Sequence, residues 1–408
     1  MACKVFLDKH VLEGNFILGE KPNKTRDAVC YDKHSSKRAS NFWRKKNNMG
    51  ELYERLLDLN NLHEAYTRSK KGVGWKESVQ RYGMNELMNI YELTERLKND
   101  TYKQKPFYEF DINERGKIRH IKSLHISDRV LQRALCDYIL APMTRRYLIH
   151  DNGASVKGKG IEFTRKRLQA HLEKYYRKFG SNGYVLLIDF SKYFDNIKHE
   201  KAAEQLARII KDPEAMKLIS GLISTFGAEG SGVGIGSQIS QVIGIFYPTE
   251  IDNFCKIVKA CKFYGRYMDD TYIIHHDKQF LRDLLNDIAE ICRRLGIVLN
   301  SKKTQIAKLS DGFTFLKIRY FYGKTGKIIK IPCRKTITRE RRKLKKLKAR
   351  LEAGLITAEE IKEQYKSWRG NIIRFNAYKS VRNTDALYKT LYKEKLKLWT
   401  KKTSGAKQ

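Results

Sequence analysis

No two cysteines in this 408-residue chain are spaced as CxxC. The seven present, Cys3, Cys30, Cys136, Cys255, Cys261, Cys292 and Cys333, are scattered. That leaves no basis for a disulfide framework or a structural zinc site. No apolar run approaches the roughly 18 residues of a membrane helix, and no secretory signal opens the sequence. Internal repeats at solenoid spacing are missing. Gly234, Gly236 and Gly244 are not part of a GxxxxGK[ST] run, which argues against a P-loop ATPase. Acids are scarce beside bases, 45 against 82. These absences predict a soluble, reduced, cytoplasmic protein with no membrane partner.

What the chain has in excess is positive charge, net +37. It is spread along the whole length and points to a polyanion, nucleic acid foremost. The length predicts two or three domains. Residues 1–75 are polar and irregular in pattern, with basic clusters such as SSKRASNFWRKKNN, and read as a basic N-terminal extension, either ordered or a flexible arm. From Lys76 onward, Val79, Tyr82, Leu87, Ile90, Leu93 and Leu97 follow a helix period. KIRHIKSL alternates as a strand. DRVLQRALCDYILAPM reads as a helix with Asp128 as N-cap and Pro142 near its end. GYVLLIDFSKYF begins as a buried strand, HEKAAEQLARII is a helix, and GSGVGIGSQISQ is a glycine-rich turn entering another. KQFLRDLLNDIAEICRRLGI is a helix closed by Gly296. GFTFLKIRYFYGKTGKIIKI reads as two strands joined at GKTG. Three basic helices end the chain as a small bundle.

Against this basic background, FYGRYMDDTYIIHH stands out, because Asp269 and Asp270 lie side by side between two strand-like runs. A solvated turn would account for two aspartates in most chains. Here the flanks are apolar and aromatic, so the turn rests on a core. Asp189 ends the buried run VLLID, and if the two strands are neighbours it converges with Asp269. Close carboxylates repel and are stable together around a divalent cation. Hard oxygen ligands suit Mg²⁺, with Mn²⁺ able to substitute. Two such ions, about 3.5–4 Å apart, are the arrangement that clamps an in-line phosphoryl transfer. His275 and His276, just after the hairpin, are read as strand-end residues.

YMDD resembles the signature of reverse transcriptases, and the neighbouring motifs come in that family's order. GKIRHIKSLHISDRVLQRAL resembles the fingers motifs of prokaryotic, group II intron-like enzymes. DFSKYFDNI resembles the first catalytic motif, GIGSQISQ the nucleotide- and template-contacting motif, LNSKKTQI the motif with a lysine near the pyrophosphate, and GFTFLKIRY the primer grip. The likeness runs from about Lys76 to Tyr320. It implies a mixed α/β right-hand polymerase, with fingers and palm over 76–325, a small antiparallel palm sheet, and a helical thumb and tail over 326–408. It also implies RNA-directed DNA polymerase activity with an RNA template, a DNA or RNA primer, and dNTPs. Asp189, Asp269 and Asp270 become the metal-binding acids, and Lys303 the acid near pyrophosphate, with Lys302 beside it leaving the register open. Lys117 and Arg119 contact the triphosphate. Phe194 takes the position of the ring that excludes a ribose 2′-hydroxyl. Ile235, Gly236 and Gln241 belong to the nucleotide-contacting motif.

Two letters depart from the family's usual form. Ile235 stands in place of a Gln, and Gln241 in place of a Pro. The variant resembles reverse transcriptases of diversity-generating retroelements, which copy a template RNA with errors at adenines. Lys317 stands where a glycine is common. No RNase H or HNH-type constellation follows the thumb, so template degradation and target nicking are expected to come from elsewhere. Two other roles remain open: an antiphage defence enzyme copying a dedicated non-coding RNA, and a maturase-like RNA-binding protein. A non-coding RNA or a basic accessory protein is an expected partner, and the host is expected to be a bacterium or its prophage.

Overall fold

The structure is a computed structural model that describes residues 50–404 except Arg115 and Ala228, with the side chains of Glu114, Lys117 and residues 394–404 outside the description. Most of the predicted N-terminal extension lies outside the described residues. Among the described residues the chain forms nine strands: β1 (Tyr108–Glu114), β2 (Lys117–Ser123), β3 (Tyr184–Ile188), β4 (Tyr264–Tyr267), β5 (Asp270–His275), β6 (Gln305–Lys308), β7 (Phe313–Phe315), β8 (Ile318–Tyr322) and β9 (Ile328–Pro332). Helices make up most of the rest, so the class is the expected mixed α/β with small antiparallel sheets. No described helix is long and apolar enough to cross a membrane. Two compact units emerge among the described residues: those of 50–164, 188–271 and 282–304 in one, and those of 165–187, 272–281 and 305–404 in the other.

The described part of the first unit opens with helices Glu51–Leu57 and Leu59–Ser69, in a stretch whose polarity suggests irregular chain. Their buried residues, Leu52, Leu56, Leu57, Leu62, Ala65 and Tyr66, are interleaved with Asn60, Asn61, His63 and Glu64. Asp58 caps the second helix by accepting from the Asn60 N–H at 2.8 Å. That helix packs on Ile126–Leu135. The helical period from Lys76 is real but broken at Asn85, giving Glu77–Met84 and Glu86–Lys98. The break turns Leu87 outward, 77% exposed, while Val79, Tyr82, Ile90, Leu93 and Leu97 are buried.

Asp128 is not the N-cap. The helix starts at Ile126, and His125 caps it by accepting from the Ser127 N–H. Asp128 is buried within the first turn and accepts from Tyr102 Oη at 2.9 Å and the Lys105 N–H at 3.1 Å. A tertiary demand for a buried acceptor outweighs the local capping preference. The helical path continues through a π-turn, Cys136–Leu140, and past Pro142 to Arg145. β1 and β2 form an antiparallel hairpin in which Arg119 faces Ile112.

In the second unit β3 pairs antiparallel with β6, Val185 opposite Ala307, and β5 is β3's other neighbour. Tyr272 on β5 meets His171 of helix Ile161–Phe179 at 3.0 Å. His275 ends β5, its ring stacked on Phe280.

The stretch predicted as two strands is three. A turn at Leu316–Lys317 splits β7 from β8, and both residues have positive φ, +45° and +65°. Two consecutive left-handed residues are the mark of a tight I′ hairpin, which normally recruits Asn or Gly. This accounts for Lys317 at a glycine position: the lysine adopts the glycine's backbone. Arg165 Nη2 donates to the Leu316 carbonyl at 2.8 Å and supports the turn.

Helices Arg334–Glu352, Ala358–Ile372 and Tyr378–Ser404 follow. They bury a thin apolar seam of Leu344, Leu347, Ile361, Tyr365 and Tyr392. Thr357 and Glu360 form a capping box at the second, and Asp385 on the third accepts from Tyr365 Oη at 2.6 Å and Arg369 Nε at 2.9 Å.

Candidate catalytic centre

Asp189 follows β3, whose buried run Val185–Ile188 is an apolar strand too short to be a helix. Beyond it the chain runs beside residues 298–300: Phe190 bridges Leu299, the Ser191 N–H donates to the Val298 carbonyl at 2.7 Å, and the Asn300 N–H donates to the Asp189 carbonyl at 2.8 Å. This pairing brings two donors to the Asp189 carboxylate. Asn300 Nδ2 reaches Oδ1 at 2.8 Å, and Lys303 Nζ reaches Oδ2 at 2.6 Å. Asp189 is 7% exposed. The lysine thereby neutralises a carboxylate that burial alone would penalise.

Asp269 sits at the tip of the β4–β5 hairpin, after Met268, which holds φ +58°. A non-glycine residue in that region is strained, and such strain concentrates at functional turns. Burial raises the Asp269 pKa, as does the charge of Asp189, while its own backbone N–H, Lys303 and Arg119 oppose the rise without cancelling it. Partial burial works against the Lys303 ammonium, but the hydrogen bond to Asp189 and the charges of Asp189, Asp270 and Asp269 prevail and keep its pKa above the ordinary lysine value. Three predicted acids, the predicted lysine and predicted Arg119 therefore share one electrostatic neighbourhood.

The other predicted residues are held by contacts of their own. Phe194, half-buried, lies against Gly244: a Cβ there would come 3.0 Å from the Phe194 ring and 3.3 Å from Met268 Sδ. Tyr193 Oη donates to the Gly244 carbonyl at 2.7 Å and anchors that contact. Ile235 and Gly236 form a turn over β2. Gly236 has φ +111°, and a Cβ on it would lie 3.6 Å from Ile121. Gln241 is on helix Gln238–Phe246 and accepts from Ser155 Oγ at 3.0 Å, a partner outside the acidic cluster. The Lys117 side chain lies outside the description.

Sequence reasoning missed Asn300 and Arg266. Asn300 stands inside LNSKKTQI, beside the lysine pair. Arg266 is a lone charge in the otherwise apolar run FYGRY, which is the signal of a buried ion pair. It is fully buried and bonded to Asp252, also fully buried.

Two hard carboxylates close enough to feel each other's charge, one of them bonded to a lysine that is 59% exposed, fit a divalent cation in their donor chemistry. Among the described residues no three His, Cys, Asp or Glu side chains are grouped so that they could hold a metal ion by themselves. An open, two-carboxylate set is what Mg²⁺ uses when substrate phosphates complete its shell.

Residues 101–320 match the family described as reverse transcriptase (RNA-dependent DNA polymerase). The match begins some way after Lys76, where the sequence likeness starts, and ends at the same Tyr320. No curated protein matches. Among solved structures, telomerase from Candida albicans in complex with a TWJ fragment of telomeric RNA is 11% identical with a TM-score of 0.44, over 71% of this chain and 55% of that one. Apo telomerase from Candida tropicalis truncated from its C-terminal domain is 17% identical with a TM-score of 0.42, over 60% of each chain. Apo telomerase from Candida tropicalis is 16% identical with a TM-score of 0.41, over 56% of this chain and 49% of that one. This chain thus spans about half to three-fifths of their length. The family match takes in 220 of the 408 residues, counted from 101 to 320, and includes all three acids and Lys303: the chain belongs to the reverse transcriptase family.

Proposed function

We propose that this protein adds dNTPs to a primer 3′ end on an RNA template. The observation that carries this reading is the meeting of Asp189 and Asp269 with Lys303 inside the family match. Asp189 and Asp269, with Asp270 adjoining, would hold two Mg²⁺ ions, which supply activation of the primer hydroxyl and neutralisation of the leaving pyrophosphate. Asn300 orients the Asp189 carboxylate through its amide. Lys303 carries a proton on Nζ and, released from Asp189, delivers it to the leaving group. Arg119, with Lys117, binds the triphosphate through charge-assisted hydrogen bonds. Phe194 presents its ring to the sugar and discriminates against a 2′-hydroxyl. Backbone contacts along the basic helices grip the duplex independently of sequence.

The decisive experiment is primer extension on a defined RNA with Mg²⁺ and dNTPs, alongside EDTA and rNTP controls. Metal-dependent extension with dNTPs is expected. No extension with any primer, or equal use of rNTPs, overturns the reading.

Within that activity, Ile235 favours an error-prone, diversity-generating type. A glutamine amide at this position can both donate and accept, whereas isoleucine offers only a β-branched apolar surface to the nascent pair.

A further inference from the structure

Among the described residues Arg266 is the largest fully buried side chain, and its charge is spent on partners outside the acidic cluster. Its guanidinium is held on every side. Nε donates to Asp252 Oδ1 at 2.8 Å, and Nη2 to Asp252 Oδ2 at 2.5 Å. Nη2 also donates to the Ile245 carbonyl at 2.8 Å, near the end of helix Gln238–Phe246. Nη1 donates to the Met268 carbonyl at 3.0 Å. Asp252 is held in turn by Tyr264 Oη at 2.5 Å. The Arg266 backbone is fixed as well, its N–H donating to the Asp151 carbonyl and its carbonyl accepting from the Gly153 N–H.

A buried ion pair of this sort adds little net stability over well-packed apolar residues of the same volume. What it contributes is geometry, because a planar fork with fixed donor directions sets the separation of whatever it joins. What it joins here is the strained residue beneath Asp269 and the helix that carries Gly244 and, through it, the Phe194 contact. We infer that Arg266 is a positioning residue that locks the Met268–Asp269 turn to helix Gln238–Phe246, fixing the catalytic carboxylate and the nucleotide-facing helix as one rigid piece. This rests on the polymerase reading only for its kinetic consequence; the locking itself does not.

Removing Arg266 alone would strand Asp252 and invite unfolding. The test therefore uses a triple variant, Arg266→Met with Asp252→Leu and Tyr264→Phe, which removes the charges and the orphaned hydroxyl together, and Arg266→Lys, which keeps the charge but loses the fork. Amide hydrogen exchange is measured on the metal-free protein. In the triple variant the amides of Met268, Asp269 and Asp270 are expected to exchange at least about tenfold faster, with those of Leu284–Ile291 unchanged and Tm within about 3 °C of wild type. In primer extension the maximal rate should fall about 100-fold, as a displacement near 1 Å can cause, while the KM for dNTP and the Kd for template–primer stay within about threefold. Arg266→Lys should lie near the triple variant. Unchanged exchange at the turn overturns the inference, as does a wild-type rate in the triple variant or a loss carried by KM or Kd. Faster exchange in the variant with a wild type that extends no primer would support the lock and sink the polymerase reading instead.

Discussion

The acidic centre and the basic C-terminal helices handle charge in opposite ways. Around Asp189 and Asp269 the charges are few, and the buried one, Asp189, is matched by Asn300 and Lys303. Helix Arg334–Glu352 carries ten lysines and arginines in nineteen residues. Most are exposed, while the buried positions are Ile337, Glu340, Leu344 and Leu347. Chemistry needs one geometry and uses burial and backbone strain to obtain it. Under the proposed function, grip on a duplex backbone would need only charge density, which charges on a solvated helix face supply redundantly. The centre should therefore be intolerant of single changes and the helices tolerant of them.

The largest expected effect breaks one side of this contrast alone. Asp189→Ala or Asp269→Ala should lower primer extension by a factor on the order of 10³ or more, since several kcal/mol of transition-state stabilisation are lost. Binding of template–primer in a filter or anisotropy assay should stay within about twofold. Near-normal extension by either variant would remove the acids from the chemistry. The reverse cut is made on the helix: Arg342, Lys345 and Lys346 changed together to Gln should weaken binding by about tenfold on every template. The slope of log K against log salt should flatten by up to about 0.9 for each phosphate no longer neutralised. A weakening confined to some sequences would mean that these helices read bases.

A smaller effect is expected at Ile235. Ile235→Gln should lower misincorporation several-fold, in line with about 1–3 kcal/mol of discrimination from a polar group that must be satisfied. Deep sequencing of cDNA from one defined RNA measures it. A wild type already as accurate as the variant would set aside the diversity-generating role and bring the defence role forward.

The smallest effect separates stability from function within the centre. Burial and Asp189 hold the folded pKa of Asp269 above its unfolded value. The ionised carboxylate therefore opposes folding above that folded pKa, and the penalty fades as pH falls through it. Asp269→Asn should raise Tm at neutral pH by about 2–4 °C, with the gain shrinking in acid, as scanning calorimetry over a pH series would show. A lower Tm at neutral pH would mean that the carboxylate is a net stabiliser.

Much of this is legible in the sequence. The acids can be read because each ends or interrupts an apolar run, a local pattern that needs no partner to be seen. The basic helices are visible as composition and period. What escapes depends on distant partners. Asp128 looks like a cap until Tyr102 and Lys105 claim its oxygens. The helices at 51–69 hide their buried face among asparagines and charges. The Leu316–Lys317 turn carries neither glycine nor asparagine, so nothing local announces it. Arg266 gives half a signal, a charge in an apolar strand, but Asp252 is fourteen residues away on a separate helix.

Gly244 has a consequence for how selectivity could be tuned. It lies against the ring of Phe194, and a methyl group there would come 3.0 Å from the ring, so that the ring would have to give way slightly. Under the sugar-filter role proposed for that ring, a methyl on residue 244 would act as a shim that displaces the ring. Deoxyribose preference would then be adjustable from the residue packed against the ring. Within this helix the added methyl would favour the helical backbone by up to about 1 kcal/mol, which offsets part of an overpacking cost of about 1–3 kcal/mol at the ring.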